Sequence, residues 1–331
     1  MRKNSAKMSE TYDFTDYEAE LAAVSATKPS MSGVKTDPES FRIPGQYEVN
    51  GMPLGAFTPK GHLGEIKTLD FEKSDILLAS YPKTGTTLTQ EITYLCRHDG
   101  DTDKANQTFN YIRTPYLDNA WPDHTNGLTL FKKTEHPRLL KTHLPFEYMP
   151  EQILSKGIRC IYVMRNPKDT LVSYYYFYKS TSSFGKFPGL WSDFFEMFLL
   201  NNLCYGNLID NYLSWWEHRD KPNILFLFYE DLLRFPKREI KKIAAFCDRP
   251  DMPDATIDKI TEATSFKNMK SNPKTNYTSI PEDIDCSVSA FMRKGLIGDW
   301  KNHFTIAQNE IMDKILKERL AGTGLDFVYE A

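Results

Sequence analysis

The 331-residue sequence is short of several things, and each shortage excludes a class of protein. Its five cysteines, Cys96, Cys160, Cys204, Cys247 and Cys286, are odd in number, widely spaced and never in a CxxC pair. That argues against a disulfide framework or a zinc site and fits a reducing compartment. No apolar run is long enough for a signal peptide or a membrane span, so the expectation is a soluble, cytoplasmic protein. A formal charge of -3 leaves no global field to attract nucleic acid or an anionic membrane, and any anion site must be local. The chain has no internal repeat, no low-complexity tract and no linker through its middle, which favours one large domain. The Walker A pattern GxxxxGK[ST] is also missing, which disfavours an ATP or GTP hydrolase.

What is present begins near Phe41. Residues 1–40 are polar and lack an apolar period, and read as a disordered tail ahead of a domain spanning 41–331. Four short runs rich in Ile, Leu and Val, at 75–80, 138–142, 158–164 and 223–228, have the character of buried strands. Amphipathic stretches at 86–97, 167–178, 190–203, 207–217, 236–247, 253–264 and 305–319 suit helices. Strands alternating with helices predict an α/β fold, a single domain with a central parallel sheet flanked by helices.

Four motifs carry chemistry. In Tyr81-Pro82-Lys83-Thr84-Gly85-Thr86-Thr87, a glycine among hydroxyl residues at a strand-to-helix junction turns backbone N–H groups toward one point. There the helix dipole and Lys83 both favour an anion, a P-loop-like arrangement. Read alone, the same residues also suit an ordinary turn with a Thr cap. Lys141-Thr142-His143-Leu144-Pro145 ends a predicted strand, at the edge where open α/β sheets bind ligands. Neutral His143 can accept a proton near pH 7, and Lys141, two residues away on an extended segment, points the same way, although KTH standing alone is more often a surface histidine after a strand. Arg165, entering a helix with Ser173 two turns on, offers a donor fork suited to a phosphate monoester, or else a partner for Asp169. The fourth motif, 291–301, contains Phe291, Arg293, Lys294, Gly295, Gly298 and Lys301, and combines cations with close backbone approach.

Together these segments resemble the cytosolic sulfotransferase family from about Tyr47 to Phe327. YPKTGTT is similar to its 5′-phosphosulfate loop, KTHLP to its catalytic segment, VMRNPKDTLVSYY to its 3′-phosphate segment and RKGLIGDWKNHFT to its C-terminal signature; LFLFYEDLLRFPKREI and TSFKNMKSNP match as well. The resemblance implies transfer of a sulfonate group from 3′-phosphoadenosine 5′-phosphosulfate (PAPS) to the hydroxyl of a small lipophilic acceptor, leaving 3′-phosphoadenosine 5′-phosphate (PAP), without a metal. It implies that Lys83, Thr84, Gly85, Thr86 and Thr87 hold the 5′-phosphosulfate. Arg165, Ser173, Arg293, Lys294 and Gly295 would meet the 3′-phosphate. Tyr229, Thr264 and Phe266 would flank adenine, with Leu88, Met269 and Phe291 beside the cofactor. His143 would be the base, with Lys83, Lys141 and Ser173 in the catalytic set, and Tyr116 and Phe177 on the acceptor. The aromatics 174–178, Phe184, Phe187 and Trp121 could line the acceptor pocket, although such residues more often belong to the core; no carboxylate in 174–190 offers a partner to a cationic amine, so a phenol, alcohol or steroid is favoured.

Two departures accompany the match. Lys301, Thr305, Ile306 and Glu310 resemble the family's dimerisation segment with Ile in place of Val, which preserves shape and implies a homodimer. Membrane-bound sulfotransferases share the first loop but normally carry a membrane anchor, for which no apolar run is expected here; a kinase would add a Walker lysine and magnesium carboxylates, and a non-catalytic nucleotide-binding protein on the same fold remains the alternative. The other departure is Leu88, where the family has a tryptophan stacked on adenine. A stacked base is worth on the order of 1 to 3 kcal/mol, so Leu88→Trp is expected to tighten donor binding about ten-fold; unchanged or weaker affinity by titration calorimetry would count against it.

Overall fold

The computed structural model describes residues 33–121 and 125–331. Its first strands, β1 (Tyr47–Val49) and β2 (Met52–Leu54), form a small antiparallel hairpin turned by Asn50 and Gly51, both with positive φ. That is the Asn-Gly turn whose twist suits paired strands. The main sheet contains β3 (Ile76–Ala79), β4 (Leu139–Thr142), β5 (Arg159–Met164) and β6 (Ile224–Phe228), all parallel in the order β4-β3-β5-β6. These are the four expected strands, each within two residues of its expected bounds.

Both faces of the sheet are buried, and the period of two sorts its side chains. Leu77, Ala79, Leu140, Cys160, Tyr162 and Met164 join the larger core, whereas Ile76, Leu78, Leu139, Ile161, Val163 and Leu227 join a second one. Helices Thr86–Arg97, Pro236–Phe246 and Asp254–Ala263 supply Ile92, Leu95, Ile240, Ile243, Ile257 and Ile260 to the second core. Helices Pro167–Ser180, Trp191–Leu199, Leu208–Trp216 and Ile306–Arg319 cover the other face.

One expected helix is shorter than its pattern. The run 190–203 is helical only over Trp191–Leu199, because the chain then turns with positive φ at Asn201 and Tyr205. Short helices such as His62–Lys67, Gly127–Lys133, Tyr229–Arg234 and Phe266–Ser271 were not legible, since one or two turns do not establish a 3.6-residue period. Of the expected tail, residues 1–32 lie outside the described ones. Gly33 to Ser40 lie against the domain, with Val34 N donating to the Pro188 carbonyl at 3.0 Å and Thr36 N to Asp193 Oδ2 at 2.8 Å.

The topology sets the position of the site. The chain puts β4 on one side of β3 and β5 with β6 on the other, so connections leave in opposite directions and a crevice opens beyond the carboxyl ends. At that edge β3 delivers the loop from Ser80, β4 delivers His143, β5 delivers Arg165 and β6 delivers Tyr229.

Candidate active site

The loop after β3 is held by its own residues. Thr84 Oγ1 donates toward the carbonyls of Tyr81 at 2.9 Å and Val163 at 3.0 Å, pinning the turn to the end of β5. Its side chain is therefore turned into the protein, and only its backbone is available to a ligand. Lys83 has φ +72° and Gly85 φ +106°; a Cβ on Gly85 would lie 2.6 Å from the Tyr229 ring, so this close approach requires glycine. Gly85 then caps helix Thr86–Arg97 with no side chain in the way, leaving the first N–H groups open.

Cations converge here. Lys83 Nζ lies 4.5 Å from the Phe177 ring centre and 3.9 Å from that of Phe291, with no carboxylate within 4 Å among the described residues. Burial, and then the charges of Arg165, Arg293 and Lys141, push its ammonium down to about 7. Arg165 sits 4.6 Å over the Tyr229 ring, donates to the Leu296 carbonyl at 3.0 Å and is 3.7 Å from Asp169. Arg293 and Lys294 each donate to Asp299 at 2.5 Å. Although burial opposes it, bonds from Lys294, Asn302 and Arg293 hold the Asp299 carboxyl well below the usual range. Arg165 Nε and Arg293 Nε are buried and without a hydrogen-bond partner among the described residues.

The His143 ring is oriented by backbone. His143 Nδ1 lies 2.7 Å from the Ser80 carbonyl, and because a carbonyl only accepts, Nδ1 carries the proton. The neutral ring thus keeps its free lone pair on Nε2. Burial first, then Lys141 and Lys83, push the His143 pKa well below its ordinary value, against the opposing bond to Ser80. Residues 115–117 run beside β4, with Leu117 N donating to the Lys141 carbonyl at 2.8 Å, and bring in Asp118. Asp118 accepts from His143 N at 2.7 Å and from Thr142 Oγ1 at 2.6 Å. Tyr116 and Tyr205 share a hydrogen bond between hydroxyls, and the His143 ring meets both edge to face, at 5.2 and 5.5 Å. Lys141 Nζ lies 4.0 Å over the Tyr116 ring, and burial pushes its ammonium down to about 8 despite Asp118.

Lys83, Lys141, His143, Arg165 and Arg293 all open on one cavity of about 500 Å³. Every expected site residue lines it except Thr84, whose hydroxyl is spent as described; Leu88, Thr264, Phe266 and Met269 form its far wall with Tyr229. A Cβ on Gly295 would lie 2.3 Å from the Phe266 ring, so the two positions are complementary. The aromatic residues divide between the two expectations: Tyr174, Tyr175, Tyr178 and Phe187 belong to the core, while Phe177, Phe184 and Trp121 line the cavity. Tyr176 lies beneath Arg293. The chain also brings Glu282 and Asp283 to the cavity from outside 174–190, though Asp283 already accepts from Ser183 N at 2.8 Å and Oγ at 3.1 Å. No group of His, Cys, Asp and Glu among the described residues could hold a metal ion.

With this geometry established, comparison with known proteins identifies the class. The model of the sulfotransferase domain matches residues 73–324, and the chain belongs to that family. It is 41% identical to sulfotransferase 1C2 of Rattus norvegicus over 294 residues, covering 88% of this chain and 98% of that one. Identity to sulfotransferase 1A1 of Bos taurus is 42% over 293 residues, with the same coverage. Among solved structures, retinol dehydratase in complex with androsterone and inactive cofactor PAP aligns with a TM-score of 0.72 at 26% identity, over 80% of this chain and 87% of that one. Mouse sulfotransferase SULT7A1 complexed with PAP gives 0.66 at 29% identity, over 84% and 95%. The protein is thus a PAPS-dependent sulfotransferase, with PAPS as donor and PAP as product.

Asp118, Ser80 and Tyr205 were missed in the sequence. They come from irregular segments or a strand end and carry no motif of their own. Asp118 is fully buried, and burial pushes its carboxyl up to about 6 against the bonds from Thr142 and His143. It does not line the cavity, which makes it a positioning residue for His143. Asp118→Asn leaves only one good acceptor for two donors, a loss of about 1–3 kcal/mol. Turnover is expected to fall roughly ten-fold while calorimetric affinity for PAP stays within about two-fold. Equal loss of both would reduce Asp118 to general support of the fold.

Proposed function

We propose that the protein transfers the PAPS sulfonate to the hydroxyl of a small lipophilic phenol, alcohol or steroid, with His143 as general base. The observation that carries this reading is the His143 tautomer: the Ser80 carbonyl fixes the proton on Nδ1, and a depressed pKa keeps Nε2 unprotonated at neutral pH. Nε2 takes the acceptor's proton as its oxygen attacks sulfur in line with the departing phosphate oxygen. PAPS supplies the electrophilic sulfur and the leaving group.

The cations meet charge that changes during that step. Lys83, with the backbone of Thr84 and Gly85 and with Thr86 and Thr87, holds the 5′ end and steadies the leaving oxygens, an anion restoring the ammonium's charge that burial weakens. Lys141 faces the transferring group. Arg165, Ser173, Arg293, Lys294 and Gly295 hold the 3′-phosphate, which explains the unpartnered Nε atoms of both arginines. Leu88, Tyr229, Thr264, Phe266 and Met269 bracket adenine, and Phe291 lies over Lys83. Tyr116 and Phe177 contact the acceptor near His143. The apolar wall at that end and the androsterone held by the retinol dehydratase structure support a lipophilic acceptor.

Two further proposals concern the whole molecule. Four buried thiols, with all five cysteines free, support a cytoplasmic location, and no helix among the described residues is long and apolar enough to cross a membrane. Homodimerisation through Lys301, Thr305, Ile306 and Glu310 is supported by Ile306, an apolar side chain 81% exposed at the start of helix Ile306–Arg319. Light scattering at micromolar concentration should report a dimer; monomer alone would remove the proposal.

The test of the reaction is conversion of PAPS to PAP with a pool of phenols, steroid alcohols and amines, comparing wild type with His143→Ala. Wild type is expected to form acceptor-dependent product, named by mass spectrometry, and the variant to lose about 100- to 10,000-fold while still binding PAP. Near-normal turnover in the variant would take His143 out of the role.

A further inference from the structure

The segment 33–46 lies behind the acceptor end of the cavity, and none of its residues lines that cavity. Phe41 packs edge to face on Phe187 at 4.9 Å and tilts against Tyr178 at 6.5 Å. Gly185, with φ +80°, is held so close that a Cβ there would lie 3.2 Å from Phe41 Cζ and 3.4 Å from Pro44 Cδ. Two residues on, the segment reaches the hairpin's exit: Ala56 N donates to the Pro44 carbonyl at 2.9 Å, and a Cβ on Gly55 would lie 3.0 Å from Ile43 Cδ1. Asn202 ties the segment down from outside, donating to the carbonyls of Pro38 at 2.8 Å and Phe41 at 3.1 Å and accepting from Gln46 Nε2 at 3.0 Å.

The two places it braces are the two halves of one wall. Phe184, next to Gly185, and Phe57, two residues after Gly55, stack at 5.3 Å with 24° between their planes, and both line the cavity. Phe184 also meets Phe177, the residue beneath Lys83, at 5.0 Å. On its other side the loop carrying Phe184 is fastened to 283–285, through Ser182 N to the Asp283 carbonyl at 2.8 Å and Asp285 N to the Ser180 carbonyl at 2.7 Å. A packed interior passes displacement to its neighbours rather than absorbing it. The position of the Phe57–Phe184 stack is therefore set by what lies behind it.

We propose that residues 33–46 form a strap that determines acceptor specificity, with Phe41 and Pro44 holding the Phe57–Phe184 stack closed around a narrow acceptor. This rests on the proposed function in one respect, that the acceptor occupies the Phe57–Phe184 end. Loosening the strap widens that end. A compact one-ring phenol then loses contacts, whereas a four-ring steroid alcohol keeps or gains them, and donor binding holds, because the strap meets helix Pro167–Ser180 at Tyr178, more than a turn beyond Ser173.

The test uses the full chain with Phe41→Ala and, separately, Asn202→Ala, which releases the strap from a partly exposed position without touching the core aromatics. Phe41→Leu serves as the conservative variant that restores an apolar contact. Hydrogen exchange of amides 182–187 is expected to speed up at least about ten-fold in both alanine variants and not in the loop 83–89. The ratio of kcat/KM for a four-ring steroid alcohol over a one-ring phenol is expected to rise about ten-fold, through the KM of the phenol, with PAP affinity within about two-fold and Phe41→Leu near wild type. Unchanged exchange at 182–187 overturns the strap as a brace. Faster exchange with an unchanged ratio, or a parallel loss of PAP affinity, overturns it as a determinant of specificity. Absence of turnover by wild type with every acceptor would instead strike the proposed function and remove the basis of the inference, an outcome the variants are not needed to recognise.

Discussion

The site depends on the pairing of β3 with a parallel partner on each side. Ile76 to Ala79 align with Leu139 to Thr142 on one side and with Arg159 to Tyr162 on the other, so β3 and β4 end together while β5 runs two residues further, to Met164. The ladder runs one step beyond the strands, with Ser80 N donating to the Thr142 carbonyl. At that step the Ser80 carbonyl is left pointing at His143, while its hydroxyl reaches Thr86 at 2.7 Å. One residue thus links the anion loop, the histidine and the sheet. A slip of one residue in register would turn every side chain to the opposite face and dissolve this convergence.

The electrostatics follow from the same convergence. Lys83, Lys141, Arg165 and Arg293 are brought together in a chain whose formal charge is negative overall, and their mutual repulsion and burial are only partly offset. The offset is selective. Asp169 and Asp299 steady the two guanidinium groups, and Asp169 also accepts from Gly298 N and Trp300 N, fastening the C-terminal loop to helix Pro167–Ser180. Lys83 and Lys141 have no such partner within 4 Å among the described residues, so a ligand's negative charge meets them with no ion pair to displace.

Much of this architecture was legible in the sequence, and for identifiable reasons. Buried parallel strands are continuous apolar runs, and the long helices repeat over enough turns to establish a period, so both could be located. The cationic loops were legible because glycine and hydroxyl residues at strand ends are unusual there unless a backbone must approach something closely. What stayed hidden was non-local or irregular. Tyr205 meets Tyr116 across 89 positions, Asp118 sits in a turn closed by Asn119 N donating to the Tyr116 carbonyl, and Asp283 reaches the cavity from a loop. In the run 174–178, helical geometry splits five adjacent aromatics among core, cavity and cation contacts, a division composition cannot express.

The cysteines have a practical consequence. Burial raises the thiols of Cys96, Cys160, Cys204 and Cys247 far from the reactive range, whereas Cys286 is exposed. Cys286 lies two residues beyond Ile284, which lines the cavity and bridges to Thr181 at the start of the Phe184 loop. The native chain therefore carries one addressable attachment point for a fluorophore or spin label, beside the wall where an acceptor is proposed to sit. Motion there can be followed spectroscopically with no cysteine engineered in or out.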